Sequence, residues 1–215
     1  MTGELTGWIA RLLAEPDLLR MGHLQRAADR NLGFGWLYYA LGRVLRPQRA
    51  VVIGSWRGFV PLTIGRALAD NLEGGDVWFI DPSLADDFWG DPAEVARWFA
   101  AFDVPNVRHF RMTTQDFVAS EDYAAVGDVG LLFVDGMHTA AQARVDWEAF
   151  ESRLGPGGVA CFHDSVNEKT TRVYGPERAY RCDVGGFLAT LRVRPDLQVF
   201  DLPLGPGLTL VRRLT

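Results

Sequence analysis

Hydrophobic residues recur along this chain with two different periods, and the change between them falls near residue 47. From residue 3 to about 46, Trp8, Ile9, Leu12 and Leu13, then Leu37, Tyr38, Leu41, Val44 and Leu45, return at helical spacing, which predicts a helical preface without a strand. From Ala50 onward short apolar runs alternate with helical patterns. "AVVIG" and "DVWFID" read as strands, with "FVPLTIGRALADNL" as the helix between them and Pro61 near its first turn, where a helix tolerates it. The alternation continues through "PAEVARWFAAF" as helix, "VRHFRM" and "VGLLFVD" as strands, "TAAQARVDWEAFESRL" as helix and "GGVACFHD" as strand. Helices between such strands imply an α/β fold with a mostly parallel sheet. A polar loop from Ser165 to about Arg181 follows, then a helix near "VGGFLATLRV" and two runs, "LQVFDLP" and "LTLVRRL", whose separation by "LGPG" predicts a hairpin-like end to the sheet. The expected organisation is an N-terminal helical cover over residues 1–46 and one α/β domain over 47–215.

Composition narrows the partners. The 215 residues are 48% hydrophobic and 23% charged, an ordinary globular balance. Net charge is −5, with 22 basic against 27 acidic residues and no block of like charge, so no nucleic-acid footprint and no anionic membrane patch is expected. The implied partner is a small molecule, with a homo-oligomer left open. Cys161 and Cys182 make no disulfide framework, no run approaches a membrane span, and "MTGELTGWIARLLAEP" does not read as a targeting segment. A reducing cytoplasm is the expected location.

In an open parallel sheet the ligand crevice lies beyond the carboxyl ends of the strands, where the strand order reverses. Gly54, Asp81, Asp135 and the pair His163/Asp164 each end a predicted strand, so four distant pieces of sequence converge on one edge. In "GSWRGF" the glycines Gly54 and Gly58 suit a tight exit into a helix, whose first amides can meet an anion. Trp56 stands where a dinucleotide fingerprint needs glycine, which argues against NAD and FAD. Asp81 occupies the position from which an acid accepts hydrogen bonds from ribose hydroxyls; it equally suits a turn cap before Pro82. A nucleoside cofactor without a pyrophosphate is consistent with both residues.

The strings "VVIGSWRGFVPLTIGRAL", "FIDPS", "FVDGMHTAAQARVDWEAF" and "LGPGGVACFHDS" resemble the class I S-adenosylmethionine-dependent methyltransferases, and among them small-molecule O-methyltransferases of the macrocin and cephalosporin-cluster type. The resemblance spans roughly residues 50 to 213 and implies a Rossmann-like, doubly wound sheet with an antiparallel last strand. It implies that Gly54, Ser55 and Gly58 face the methionine part of S-adenosyl-L-methionine, that Asp81 holds the ribose, and that Thr114 and Gln115 lie beside the adenine. The implied activity is methyl transfer to a hydroxyl of a metabolite or natural product. A cofactor-binding relative without turnover, or a nicotinamide-dependent oxidoreductase on the same topology, are the alternatives.

"VDGMHT", Val134 to Thr139, would then end beneath the sulfonium, with Asp135 and His138 facing the acceptor. Imidazole suits the role of base for a neutral hydroxyl, and a carboxylate nearby can orient its other nitrogen. The resemblance also implies a divalent metal, since related enzymes gather carboxylates at these strand ends around magnesium; Asp135, His163 and Asp164 are the residues in those places. His163 stands where that pattern often has an acid, and imidazole suits zinc, iron or nickel better, so the metal's identity stays open. Structural roles are the competing explanation: Asp135 as a cap for the helix near Thr139, His163/Asp164 as ties for the following loop, Asp146 as a fold residue, and Trp36, Tyr38 and Tyr39 as core.

Overall fold

The computed structural model describes residues 2–20 and 22–215. The predicted alternation is present throughout: β1 (Arg49–Ile53), α3 (Phe59–Asn71), β2 (Asp76–Ile80), α4 (Pro92–Ala101), β3 (Val107–Phe110), β4 (Val129–Val134), α7 (Ala140–Phe150), β5 (Leu154–His163), α8 (Val184–Leu191), β8 (Leu197–Leu202) and β9 (Leu208–Arg213). Two short helices, α5 (Thr114–Val118) and α6 (Glu121–Ala124), complete the crossover between β3 and β4. Seven strands form one sheet in the order β3-β2-β1-β4-β5-β9-β8, parallel except that β9 runs antiparallel to both its neighbours. This is the doubly wound sheet with an antiparallel last strand. The chain moves outward from β1 to β3 and then crosses back to β4, so the reversal of strand order lies between β1 and β4.

Both faces of the sheet are covered, which is why its strands read as nearly continuous apolar runs rather than alternating ones. One face, through Val52, Phe79, Phe133 and Cys161, packs under the N-terminal helices and α3; the other, through Ile53, Ile80, Val134 and Phe162, packs against α7 and α8. Alternate residues of each strand thus enter different cores, as the period of two requires.

The predicted preface is helical only at its two ends. Helices α1 (Thr2–Ala14) and α2 (Gly35–Leu45) and a 3-10 turn at Pro16–Arg20 form, but residues 22–34 are irregular. Gly33 explains the break: it has φ +58, and a Cβ there would lie 2.1 Å from the His23 carbonyl oxygen, so the chain folds back on itself at a point no helix can pass. Of the three aromatics expected in the core, Tyr38 is fully buried and stacks edge-on to Phe133, Tyr39 is half-buried and donates to Asp70 at 2.7 Å, and Trp36 is exposed. The expected polar loop 165–181 contains a small antiparallel pair, β6 (Lys169–Thr171) with β7 (Tyr180–Cys182), because a short polar hairpin carries too little apolar periodicity to be read.

Helices α2 and α3 meet at Gly42, where an added Cβ would lie 2.7 Å from the Cβ of Ala67. Gly42→Leu is therefore expected to destabilise the fold by about 1–3 kcal/mol through overpacking, although leucine is the better helix former. Val44→Ala, at a position 78% exposed on the same helix, is expected to stay within about 0.5 kcal/mol. Chemical denaturation of both variants checks whether this seam is as tight as described.

Candidate active site

The carboxyl ends of β1, β2, β4 and β5 open into a cavity of about 440 Å³. Its wall includes Gly54, Ser55, Asp81, Thr114, Gln115, Asp135, His138, His163 and Asp164, so nine of the ten sequence-expected residues meet there. Gly58 does not reach the wall. It caps α3 with φ +84, packed toward Trp89, and its role is to let the turn enter the helix.

At the β1 exit Gly54 has φ +70, and a Cβ would lie 2.5 Å from Cα of Gly136. The exits of β1 and β4 thus touch backbone to backbone, which only glycine permits. The Ser55 amide donates to Asp81 Oδ2 at 3.2 Å and the Ser83 amide to Oδ1 at 2.7 Å. Asp81 therefore does cap its own turn while also lining the cavity. Burial raises its carboxyl to about 6 against the opposing pull of these amides. Trp56 lies in the left-handed region, with φ +50, and its carbonyl accepts from Trp89 Nε1 at 2.7 Å. Its own Nε1 is buried without a partner among the described residues.

Thr114 and Gln115 belong to a polar row that sequence reasoning did not assemble. Thr114 Oγ1 donates to Asp146 Oδ1 at 2.6 Å, Gln142 Nε2 donates to the same oxygen at 2.8 Å, and Gln115 Nε2 donates to Gln142 Oε1 at 3.1 Å. Asp146, expected to serve the fold, does tie α5 to α7, and it also lines the cavity. Its burial raises its carboxyl to about 6, opposed by Thr114 and Gln142.

The opposite half holds the charged groups. The Asp135 side chain is 6% exposed, with His163 Nδ1 2.8 Å from Oδ1, His23 Nε2 3.4 Å from Oδ2 and His138 Nε2 3.9 Å from Oδ1. It does not cap α7; the Thr139 side chain does, accepting from Gln142 N. Burial disfavours its charge, but His163 and His23 override this and hold its carboxyl well below the usual range. For His163 burial likewise opposes the charge, yet Asp135 wins and its pKa is raised, whereas burial lowers His23 and His138. Asp164, at φ +52, receives Lys169 Nζ at 2.7 Å; Lys169 is the chain's single lysine, so Asp164 does tie down the following loop. Tyr174, Val173 and Thr171, from the β6–β7 hairpin, also line the cavity.

His23 was not legible as a site residue. It comes from the irregular loop, stacks on Phe59 at a 5.1 Å centroid distance and lies 4.4 Å from the His163 ring. Three of the chain's four histidines thus meet at Asp135. No local motif announces His23, because it stands more than a hundred positions before Asp135; only the scarcity of histidine is visible in advance.

Residues 51–165, just over half of the chain, match the family model described as a methyltransferase domain. The chain belongs to the methyltransferase domain family. A protein designated y4gI from Sinorhizobium fredii (strain NBRC 101917 / NGR234) is 29% identical to this methyltransferase domain over 133 residues, which is 60% of this chain and 14% of that protein. The chain thus spans a small fraction of that relative's length. The O-methyltransferase TomG from Streptomyces achromogenes, involved in tomaymycin synthesis and crystallised with SAM, superposes with a TM-score of 0.65 at 17% identity, covering 98% of this chain and 88% of that one. An O-methyltransferase from Bacillus cereus in complex with SAH gives a TM-score of 0.67 at 12% identity, covering 96% and 90%. At such identities the likeness establishes the fold. Among the described residues no helix is long and apolar enough to cross a membrane.

Of the divalent metals that the sequence resemblance leaves open, magnesium is poorly suited to the donors present. Magnesium takes oxygen ligands, whereas Asp135 faces imidazoles and Asp164 is matched by Lys169.

The Asp135 carboxylate is the charge around which this half is assembled. Asp135→Asn, in protein kept with a chelator, is expected to lower stability by about 3–5 kcal/mol, since it leaves buried imidazole charge without its partner. Urea unfolding measures this; a loss under about 1 kcal/mol would show that the imidazoles do not depend on the carboxylate.

Proposed function

We propose that this chain transfers the methyl group of S-adenosyl-L-methionine to a hydroxyl of a small-molecule acceptor, in the manner of natural-product O-methyltransferases. The observation that carries the reading is the two-part cavity: a hydrogen-bonding half at Gly54, Asp81, Thr114 and Gln115, and a half with titratable groups at Asp135, His138 and Asp164, both at the reversal of strand order. The methyltransferase family and the SAM- and SAH-bound neighbours support it.

In this reading the ribose hydroxyls bond the free lone pairs of Asp81, whose two amide contacts hold the carboxylate in place. The Gly54 turn would approach the methionine part, and the row Thr114, Gln115, Gln142 and Asp146 would hold the adenine. The acceptor oxygen attacks the methyl carbon in line; the carbon–sulfur bond breaks, its electron pair stays on sulfur, and the hydroxyl proton passes to His138. Burial keeps His138 neutral and able to accept a proton. Asp164 Oδ2 at 3.7 Å from its Nε2, and Asp135, stabilise the imidazolium that results. Much of the acceleration comes from holding acceptor and methyl near contact, with the hairpin excluding water.

Titration calorimetry with S-adenosylmethionine, its demethylated product and NAD tests the cofactor: the first two should bind and NAD should not. Asp81→Ala is expected to weaken binding by at least about tenfold, the value of a lost charge-assisted contact. Affinity for the wild type should also fall as pH drops below about 6, where Asp81 takes up a proton and loses its charge; affinity flat from pH 8 to 5 removes Asp81 from the site. Once a panel of hydroxylated acceptors yields turnover, His138→Ala should reduce kcat by about 10²–10⁴ and leave cofactor affinity unchanged.

A further inference from the structure

Asp135 is enclosed by nitrogen. His163 Nδ1 lies 2.8 Å from Oδ1 and His23 Nε2 3.4 Å from Oδ2, on opposite oxygens of one carboxylate. The 2.8 Å approach lacks the direction of a hydrogen bond: His163 is 4% exposed, and neither of its ring nitrogens has a hydrogen-bond partner among the described residues. A buried imidazole whose Nε2 has no partner, and whose Nδ1 meets only the charge of one carboxylate, requires an explanation. One ligating atom from each of His23, Asp135 and His163 lies within 4.8 Å of the others, a separation that one cation bridges. The far nitrogen of His23, Nδ1, is 3.0 Å from the Tyr38 hydroxyl. With the Tyr38 hydroxyl as acceptor, the ring proton sits on Nδ1 and Nε2 is free to bind a metal.

We propose that His23, Asp135 and His163 form a binding site for a divalent first-row transition ion, such as zinc, cobalt or iron, and not for magnesium. Two imidazoles and one carboxylate are the donors such ions select, while magnesium demands oxygen and keeps its waters. The neighbouring set His138, His163 and Asp164 is also compact, but Asp164 is already neutralised by the Lys169 ammonium at 2.7 Å, which would repel an ion beside it. Asp135 has no ammonium or guanidinium partner within ion-pair distance among the described residues, so a cation there competes only with the protons of the imidazoles that would become its ligands. Asp135 and His163 line the cavity, so the ion borders the space in which ligands sit and pins the loop 22–34 to the ends of β4 and β5. The site stands on these contacts alone and does not depend on the methyl-transfer reading.

The test uses the purified full chain, stripped with EDTA and dialysed. Cobalt and zinc are expected to bind one to one by calorimetry and to raise the Tm, whereas magnesium at the same concentration leaves it unchanged. Pulsed electron paramagnetic resonance of the copper-loaded wild type should show two imidazole rings on the ion. His23→Ala and His23→Phe, checked for folding by circular dichroism, should each weaken cobalt by at least about tenfold, while His138→Ala stays within about threefold. The proposal is overturned by absence of cobalt and zinc binding, by magnesium binding as tightly as cobalt, by unchanged affinity in folded His23 variants, or by loss on His138→Ala instead. If neither His23 variant folds, the wild-type resonance decides, and fewer than two imidazoles overturns it. Calorimetry with S-adenosylmethionine on the same preparation reports separately on the cofactor reading.

Discussion

A carboxylate removed from water must be met by charge or by hydrogen-bond donors, and Asp135 is such a carboxylate at the point where three parts of the chain come together. β4 delivers the acid, β5 delivers His163, and the loop 22–34 delivers His23. Both imidazoles turn a ring nitrogen toward the acid, and the acid has no ammonium or guanidinium within reach among the described residues. The cover is therefore attached to the sheet in two ways: by apolar packing through Trp8, Leu12 and Tyr38, which fixes its position, and by His23, which fixes its register against the strand ends. The first attachment resembles any helix on a sheet. The second makes the cover part of the site.

The sheet supplies the other constraint. Because the chain crosses back between β1 and β4, the two strands leave the sheet side by side and their following segments diverge to opposite faces. The gap they leave is bounded by backbone at the bottom, where Gly54 meets Gly136, and by side chains at the sides. One side collects neutral donors and acceptors with two buried acids, Asp81 and Asp146; the other collects histidines, acids and a lysine. A ligand lying across the gap meets hydrogen-bond specificity at one end and proton-handling groups at the other, which is what a cofactor and an acceptor sharing one transferred group require.

Much of this was legible in the sequence, and what escaped did so for physical reasons. Strands buried on both faces announce themselves by composition, so β1, β2, β4 and β5 and the residues that end them could be read directly, and with them Gly54, Asp81, Asp135 and His163. Gly58, expected beside the cofactor, caps α3 instead of lining the cavity, and a glycine that caps a helix and one that faces a ligand look alike in sequence. Residues 22–34 were read as helical because their flanks are; the break depends on Gly33 and a contact with His23 that has no periodic signature. His23 and Asp146 escaped for the same reason: each acquires its role from a partner far along the chain, Asp135 in one case and Thr114 in the other, and single-sequence spacing carries no information about such pairs.

The turn after β1 shows how the site shapes what it admits. A tryptophan at φ +50 is strained by roughly 1–2 kcal/mol relative to glycine, and such strain persists only where the surroundings impose it. Here the Trp89 indole holds the Trp56 carbonyl at 2.7 Å and the Arg57 guanidinium sits 4.7 Å above the Trp56 ring, with Arg57 itself anchored to Asp86. The indole consequently forms cavity wall where a dinucleotide-binding turn would present bare backbone to a pyrophosphate. With that approach closed, the strongest hydrogen-bonding group left for a nucleoside is the Asp81 carboxylate. The departure at Trp56 and the acid at the end of β2 are thus complementary features of one pocket: the first closes it to a pyrophosphate, and the second leaves a buried carboxylate on its wall.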